Sequence, residues 1–339
     1  MAPSLFLHLG MSKTGTTFLQ TQVFPELEAI RFFDQPHSDL LSGSSLQGLF
    51  ARTFKRSPAI WERRGDELFE AFLGARPHGK PPPSVLVSDQ SAGPALWETG
   101  PYAGPHWKQV RQDPYLLAAH LEALAGQAVD WGFEDLRVLL VFRRQDEWIA
   151  SKYAQRSDRI LPASQAHFEE RIAYYTDPDR GFYADGIILD YALLRDLIAQ
   201  TVGDEKVLML PYELLRRAPV TFLRCLTDFV VPSANYSGEQ LSAWANQEEE
   251  NVRSTSRTTW ALRPRTTRDI PVPDWIPHRF ARIVRRSLRR ISSFLRGRDQ
   301  TIQLTPDLQR RILNRYASSN RRLNPHVPGS LQAYGYIPE

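Results

Sequence analysis

The stretch that decides the fold runs Leu5-Phe6-Leu7-His8-Leu9-Gly10-Met11-Ser12-Lys13-Thr14-Gly15-Thr16-Thr17-Phe18-Leu19. An apolar run typical of a buried strand comes first, a turn of small residues follows, and a helical pattern then continues through Leu19, Val23 and Leu27. A turn that brings backbone N–H groups to the start of a helix favours an anion, and Gly15 lets the backbone approach that anion closely. Because Lys13 adds a positive charge beside it, the stretch predicts a phosphate-binding loop.

The alternative interpretation is a Walker A loop, G-x-x-x-x-G-K-[ST], because Gly10 and Gly15 have the spacing of its two glycines. The second half of that motif is missing. Thr16 stands where the lysine should follow the second glycine, and Lys13 comes two residues before that glycine. An ATPase needs its lysine on the β/γ-phosphates and a Ser or Thr on Mg²⁺. The loop therefore predicts a phosphate-like ligand held without that metal arrangement.

A second segment has the chemistry of an anion site. Residues 137–142 read as a buried strand, and residues 143–153 follow as a turn and a helix. Arg143 stands at the end of the strand, and its guanidinium fork can pair with a phosphate in bidentate fashion. Ser151, eight residues later, supplies a hydroxyl donor. An arginine that caps a strand beside a solvated helix would give the same pattern, so both interpretations remain open.

Together these residues resemble a known family. Lys-Thr-Gly-Thr-Thr-Phe after a strand resembles the 5′-phosphosulfate loop of sulfotransferases that use 3′-phosphoadenosine 5′-phosphosulfate (PAPS), and Arg143 with Ser151 matches the arginine and serine of their 3′-phosphate site. Residues 207–215 are similar to the strand and "YE-x-L" turn found late in these enzymes. Residues 315–323, followed by Tyr334-Gly335-Tyr336, resemble the closing helix and "YGY" tail of bacterial members. The four matches occur in the family's order and extend over the length of the chain.

The resemblance implies an α/β fold of the P-loop NTPase-like sulfotransferase type, with a central, mainly parallel sheet flanked by helices. It implies transfer of a sulfuryl group from PAPS to a hydroxyl or amine of an acceptor, a carbohydrate or another glycan, lipid or small alcohol, with no metal required. Lys13 would neutralise the charge that develops at the leaving phosphate. The residues that would bind PAPS are Lys13, Thr14, Gly15, Thr16, Thr17, Phe18, Arg143 and Ser151. Phe18 would stack on the adenine or, equally, pack under the helix.

The general base is less clear from the sequence. Relatives place a carboxylate or histidine near the end of a central strand, where it can take the proton of the acceptor hydroxyl. Residues 85–91 read Val-Leu-Val-Ser-Asp-Gln-Ser, and Gln90 replaces the glutamate of the family pattern. Asp89 is the candidate base, with His37 and His106 as alternatives. His8 lies inside the first strand and is expected to have a structural role.

Composition is consistent with a single enzyme domain over residues 1–339. The chain is 42% hydrophobic and 24% charged, and its strands alternate with helices. Residues 154–186 lack a clean period and hold several aromatics, which either shape an acceptor pocket or form a helical cover. Cys225, the single cysteine, is expected to be a core thiol. A first strand beginning at Leu5 leaves no room for a signal peptide, so a cytoplasmic protein is expected.

The C-terminal third is locally basic although the formal net charge of the chain is only +4. Apolar residues recur at helical spacing near residues 276–299, and arginines fill the rest of the helical wheel. The face at residues 278–298 could contact an anionic membrane or a polyanionic acceptor, or remain a solvated face of a helix packed on the domain. No nucleic-acid reading motif accompanies this charge. Oligomeric state is not indicated.

Two further functions are compatible with the sequence. Asp89 at the end of an apolar strand also resembles a Walker B position, which favours a nucleotide-dependent phosphotransferase that needs Mg²⁺. Gln90 together with the basic amphipathic segment would fit a PAPS-binding pseudoenzyme or a membrane-peripheral adaptor. Such a protein would bind the nucleotide without transferring sulfate.

Overall fold

A computed structural model of the chain describes residues 2–28, 30–34, 48–75, 82–89, 115–160, 163–179, 183–184, 187–249, 258–263 and 301–338. Its strands are β1 (Ser4–Leu9), β2 (Arg31–Asp34), β3 (Val85–Asp89), β4 (Asp135–Phe142), β5 (Tyr183–Ala184), β6 (Ile187–Ile188), β7 (Val207–Pro211), β8 (Thr259–Ala261) and β9 (Thr301–Gln303). The helices are α1 (Thr16–Phe18), α2 (Leu49–Phe54), α3 (Ile60–Leu73), α4 (Tyr115–Asp130), α5 (Gln145–Arg156), α6 (Gln165–Tyr175), α7 (Tyr191–Val202), α8 (Tyr212–Arg217), α9 (Pro219–Val230), α10 (Gly238–Glu249) and α11 (Pro306–Leu323).

Five strands form one parallel sheet in the order β2-β3-β1-β4-β7. β1 and β3 are buried along their whole length, as expected for strands covered on both faces. In contrast, both ends of β2, at the edge of the sheet, are exposed. The predicted α/β class with a central parallel sheet flanked by helices is confirmed.

Helices cover both faces of this sheet. Phe6 of β1 packs edge-on against Phe229 of α9, with the ring centroids 5.9 Å apart, and His8 packs against Phe24 at 5.3 Å. On the other face α4 and α7 pack against β4 and against each other. The strand and the "YE" turn predicted from residues 207–215 are present as β7 and α8, and α9 follows them.

The helix predicted to follow the first loop is irregular. Only Thr16–Phe18 is α-helical; Leu19–Val23 is a π-helix and Phe24–Glu26 a 3-10 helix. Pro25 explains the departure, because proline has no N–H to donate and its ring collides with the carbonyl four residues before it. The predicted apolar positions Leu19, Val23 and Leu27 are nevertheless all buried.

In their described part, residues 154–186 contain the end of α5, then α6 and β5, which pairs with β6 just beyond residue 186. Phe168 and Tyr175 of α6 are buried in the core, which supports the interpretation as a helical cover for these two aromatics. Cys225 is free, half-buried and packed against the core from α9. The extent of a single domain over residues 1–339 stays a prediction, and the basic segment at residues 276–299 lies outside the described residues.

Candidate functional site

The site lies at the carboxyl ends of β1 and β4. These strands are neighbours, but the chain leaves β1 toward β2 on one side of the sheet and leaves β4 toward β7 on the other. A crevice opens outside the strand ends where successive connections diverge, and ligands of open α/β sheets bind there. The loop at residues 10–15 follows β1, and Arg143 follows β4. Sheet topology therefore brings the two predicted anion-binding motifs to one place.

The loop reverses direction through two residues with positive φ. Lys13 has φ 73° and Gly15 has φ 76°; within the described residues, Lys13 is the one non-glycine residue with this backbone conformation. A Cβ at Gly15 would lie 2.9 Å from Leu215 Cδ2 and 3.3 Å from a ring carbon of Tyr212. Left-handed backbone costs a side-chain-bearing residue roughly 1–2 kcal/mol. The exposed Lys13 is held in this conformation by its surroundings, and Gly15 is required by both its φ and its close packing.

The threonines of the loop face in different directions. Thr14 and Thr16 are buried, and both hydroxyls donate to the carbonyl of Met11, Thr16 at 3.1 Å. These two hydroxyls therefore brace the loop from inside, so that Thr16 would reach a ligand through its backbone N–H. Thr17 is exposed at the start of α1.

Phe18 is buried at 3% exposure and belongs to the hydrophobic core. Of its two predicted roles, the structure supports packing under the helix. A ring enclosed in the core has no free face on which an adenine could stack.

Arg143 connects the two predicted motifs, because its side chain contacts the loop that contains Lys13. Its Nη1 lies 3.5 Å from the carbonyl oxygen of Lys13, and its Nη2 donates to Glu147 Oε2 at 2.5 Å. The guanidinium also lies over the ring of Tyr212, 5.3 Å from the centroid. Its Nε is buried and has no hydrogen-bond partner among the described residues. The side chain is thus fixed on two sides and retains an unsatisfied donor.

A network of buried charges supports this arginine. Arg144 donates to both oxygens of Asp146, at 2.7 and 3.0 Å, and to Glu147 Oε1 at 3.1 Å. Its backbone N–H donates to Glu213 of α8 at 3.2 Å, and the hydroxyl of Tyr336 donates to the second oxygen of Glu213 at 2.5 Å. The "YE" turn and the C-terminal tail therefore hold the turn that carries Arg143.

The two glutamates of this network have opposite pKa shifts. Burial by itself raises the pKa of Glu147, but the charges of Arg143 and Arg144 outweigh it and bring that pKa below its ordinary value of 4.5. For Glu213, burial dominates and raises the pKa above 4.5, although hydrogen bonds from Tyr336 and Arg144 offset part of the effect.

Helix α5 contributes two stripes of residues. Glu147 and Ser151 lie one turn apart on the face that begins at Arg143, and Ser151 is half-buried. On the neighbouring stripe, the indole N–H of Trp148 donates to the carbonyl of Ser12 at 3.0 Å, and Lys152 Nζ donates to Ser12 Oγ at 2.6 Å. The helix after β4 thus fixes the loop after β1.

Asp89 ends β3, opposite Leu9 of β1, and its side chain is buried. The preceding Ser88 forms a 2.7 Å hydrogen bond with His8 Nδ1 and accepts another from Gln20 at 2.9 Å. Desolvation lowers the pKa of His8 to about 3, so this imidazole is neutral at physiological pH. The burial of His8 and its hydrogen bond to Ser88 fit the structural role predicted for it. Gln90, His37 and His106 lie outside the described residues.

The structure places Lys13, Gly15 and Thr17 just after β1, and Arg143 and Ser151 just after β4, at the carboxyl ends of neighbouring strands. Sequence reasoning missed several residues that position them, namely Ser12, Glu147, Trp148, Lys152, Tyr212 and Glu213. The sequence did contain a signal for the last two, since they form the "YE" turn after β7. It contained none for Lys152 beyond its place next to Ser151.

Comparisons with known proteins give distant structural likenesses. No protein-family model and no curated protein matches the sequence. A crystal structure of a sulfotransferase from Alicyclobacillus acidocaldarius aligns over 98% of this chain and 99% of its own, with 16% identity and a TM-score of 0.43. Mouse sulfotransferase SULT7A1 complexed with PAP aligns over 75% of this chain and 67% of its own, with 12% identity and a TM-score of 0.38. At this level of similarity neither structure assigns a function to the chain.

Within the part of the chain that the structure describes, no helix has both the length and the apolar character to cross a membrane.

Proposed function

We propose that the chain is a PAPS-dependent sulfotransferase. The observation that carries the proposal is the meeting of two anion-binding motifs at the carboxyl ends of β1 and β4, with Arg143 Nη1 3.5 Å from the carbonyl oxygen of Lys13. A donor with phosphates at both its 3′ and 5′ ends needs two anion sites close together, and the two motifs would supply both.

Each motif would bind one end of the donor. Lys13, the backbone N–H groups of residues 15–17 and the hydroxyl of Thr17 would hold the 5′-phosphosulfate. Arg143 and Ser151 would hold the 3′-phosphate, with Glu147 keeping the guanidinium in place before the nucleotide arrives. A donor held at both ends loses little further freedom on the way to the transition state, which lowers the entropic part of the barrier.

Sulfuryl transfer then requires an acceptor oxygen in line with the scissile bond. The acceptor hydroxyl attacks sulfur, the bond from sulfur to the bridging oxygen breaks, and adenosine 3′,5′-bisphosphate leaves. Lys13 would stabilise the negative charge that appears on the bridging oxygen and the 5′-phosphate. Asp89, at the end of the strand beside β1, is our candidate to take the proton of the hydroxyl. The acceptor class we favour is a carbohydrate or another hydroxyl-bearing compound.

The first test is calorimetric titration with adenosine 3′,5′-bisphosphate and, separately, with ATP and Mg²⁺. We expect micromolar binding of the bisphosphate, weakened at least tenfold by Arg143→Ala and by Lys13→Ala, in keeping with about 1.5–3 kcal/mol for a charged hydrogen bond. Arg137→Ala is the matched control. Arg137 lies on β4 too, but it pairs with Asp135 near the amino end of the sheet, so its loss should leave nucleotide affinity unchanged.

The outcomes separate the candidate functions. Bisphosphate binding would justify an acceptor screen with PAPS, in which transfer of labelled sulfate identifies an enzyme. Tight bisphosphate binding without transfer, and with Asp89→Asn indistinguishable from the wild type, would instead indicate a nucleotide-binding protein that lacks a working base. A preference for ATP with Mg²⁺ would contradict the proposal and favour a phosphotransferase.

A further inference from the structure

Ser12 is the residue of the loop that α5 holds most closely. Trp148 binds its carbonyl and Lys152 binds its hydroxyl oxygen, at 3.0 and 2.6 Å. These two side chains stand four residues apart and therefore on one face of the helix. Lys152 is 6% exposed although it carries a charge, whereas Ser12 is half-buried at the loop surface.

The direction of the hydrogen bond between Lys152 and Ser12 is fixed by chemistry. An ammonium group has three donors and no acceptor, so Ser12 Oγ must accept from Lys152. The hydroxyl proton of Ser12 is then available only to a second acceptor, and none lies within hydrogen-bond distance among the described residues. A hydroxyl that accepts from a cation is also polarised, which strengthens the hydrogen bond it can donate. Ser12 therefore has a hydroxyl proton that no described residue accepts.

The position of Ser12 indicates which acceptor this is. It precedes Lys13, the residue with positive φ that carries the exposed charge of the loop. Ser151, which we assign with Arg143 to the 3′-phosphate, lies on a different stripe of α5 from Trp148 and Lys152. A nucleotide bound with its 5′-phosphate on the loop would therefore place that phosphate beside the Ser12 hydroxyl.

We propose that Ser12 and Lys152 are a further anion-binding element of the donor site: the Ser12 hydroxyl donates to the 5′-phosphate of the nucleotide, and Lys152 acts through Ser12 as a positioning residue. This inference rests on the proposed function, because it takes the ligand to be a nucleotide with phosphates at both ends. It adds to that function a contact that depends on the particular pairing of Ser12 with Lys152 in this chain.

The experiment compares three nucleotides that separate the two ends of the site. Adenosine 3′,5′-bisphosphate, adenosine 5′-monophosphate and adenosine 3′-monophosphate are titrated into the wild type and into Ser12→Ala, Lys152→Met and the double variant. Arg143→Ala is titrated as well, because it removes a contact assigned to the 3′-phosphate. Matched controls are Ser242→Ala on α10 and Lys206→Met at the amino end of β7, each of which removes the same chemical group far from the crevice.

We expect Ser12→Ala and Lys152→Met each to weaken the bisphosphate and the 5′-monophosphate about tenfold, with unchanged affinity for the 3′-monophosphate. Arg143→Ala should instead weaken binding of the bisphosphate and the 3′-monophosphate and leave the affinity for the 5′-monophosphate unchanged. The double variant should bind no more weakly than the single variants, because in this assignment Lys152 acts on the nucleotide through Ser12. A brace that merely keeps the loop folded would weaken the same two nucleotides, so Trp148→Phe, which removes the other hydrogen bond to Ser12, measures that effect alone. An equal loss of affinity in Trp148→Phe and Ser12→Ala would overturn the assignment.

Failure of this inference can be told from failure of the proposed function. If the wild type does not bind the bisphosphate, the proposed function is wrong and this assignment falls with it. If the wild type binds and Arg143→Ala impairs it, but Ser12→Ala affects no nucleotide or affects all equally, only the assignment of Ser12 and Lys152 is overturned. Circular dichroism verifies folding, and if Lys152→Met does not fold, the Ser12→Ala titrations decide alone.

Discussion

The loop at residues 10–17 is held by close packing and by hydrogen bonds, one of them from the Lys152 ammonium group, whereas the turn at residues 143–147 is held by ion pairs. In the loop, two threonine hydroxyls share one carbonyl and a glycine fits against Leu215. In the turn, two arginines are paired with Asp146 and Glu147 in a mostly buried network. The difference indicates that the loop depends on shape and the turn on ionisation, so steric and pH perturbations should separate the two.

The largest effect is expected from Gly15→Ala. The added methyl group would occupy a left-handed backbone position and lie 2.9 Å from Leu215 Cδ2. Strain and overpacking together should lower the free energy of unfolding by about 2–4 kcal/mol and abolish bisphosphate binding. Urea denaturation and calorimetry measure the two effects.

Gly126→Ala is the control for this substitution. Gly126 is an exposed residue of α4 with open space around its Cβ position, so alanine should stabilise that helix by up to about 1 kcal/mol. Equal and small effects at both glycines would mean that the loop is not held by its shape.

A smaller effect is expected from pH. Glu147 and Glu213 should change the free energy of unfolding in opposite directions as the pH varies. The pKa of Glu147 lies below 4.5, so its ion pairs stabilise the protein above that pH and are lost as the pH falls through the folded-state pKa. The pKa of Glu213 lies above 4.5, so the folded state holds a proton that the unfolded chain has released, and stability decreases as the pH rises above 4.5.

Glu147→Gln and Glu213→Gln test whether the two glutamates contribute to the pH dependence of stability with opposite sign. At pH 7, Glu147→Gln should lower the free energy of unfolding by about 2 kcal/mol, since it removes the charge that two partly buried arginines share. Its deficit relative to the wild type should shrink below pH 4.5. The stability of the wild type relative to Glu213→Gln should instead increase as the pH falls toward 4.5. Parallel pH profiles for the two variants would refute the opposite roles of these carboxylates.

The sequence was most informative about the parts of the site that depend on chain order. The strands before Gly10 and Arg143 were predicted from their apolar runs, and a parallel sheet brings the ends of such strands together. The helix after the loop was predicted as regular because the apolar spacing was read without the effect of Pro25. Periodicity reports which positions are buried and is less sensitive to the hydrogen-bond pattern between them.

The residues that hold the site were mostly not predictable from the sequence. Lys152 contacts Ser12 across 140 positions of the chain, and Glu213 contacts Arg144 across 69. Contacts of this kind depend on how β4 and β7 lie in the sheet, which no local motif records. Thr16 is a related case, because its place in the motif suggested a ligand contact whereas its hydroxyl faces the carbonyl of Met11.

The smallest effect, and the finest test of the comparison, is expected from Thr16→Val. This substitution keeps the shape of the side chain and removes the hydroxyl that donates to Met11, while Thr14 still donates to the same carbonyl. The free energy of unfolding should therefore decrease by only about 1 kcal/mol, and bisphosphate affinity should fall less than fivefold because the Thr16 backbone N–H remains. Thr16→Ser retains the hydroxyl and should resemble the wild type in both measurements. If Thr16→Val abolishes bisphosphate binding at unchanged stability, the hydroxyl turns from Met11 to the ligand, and the loop would then bind through its side chains as the turn does.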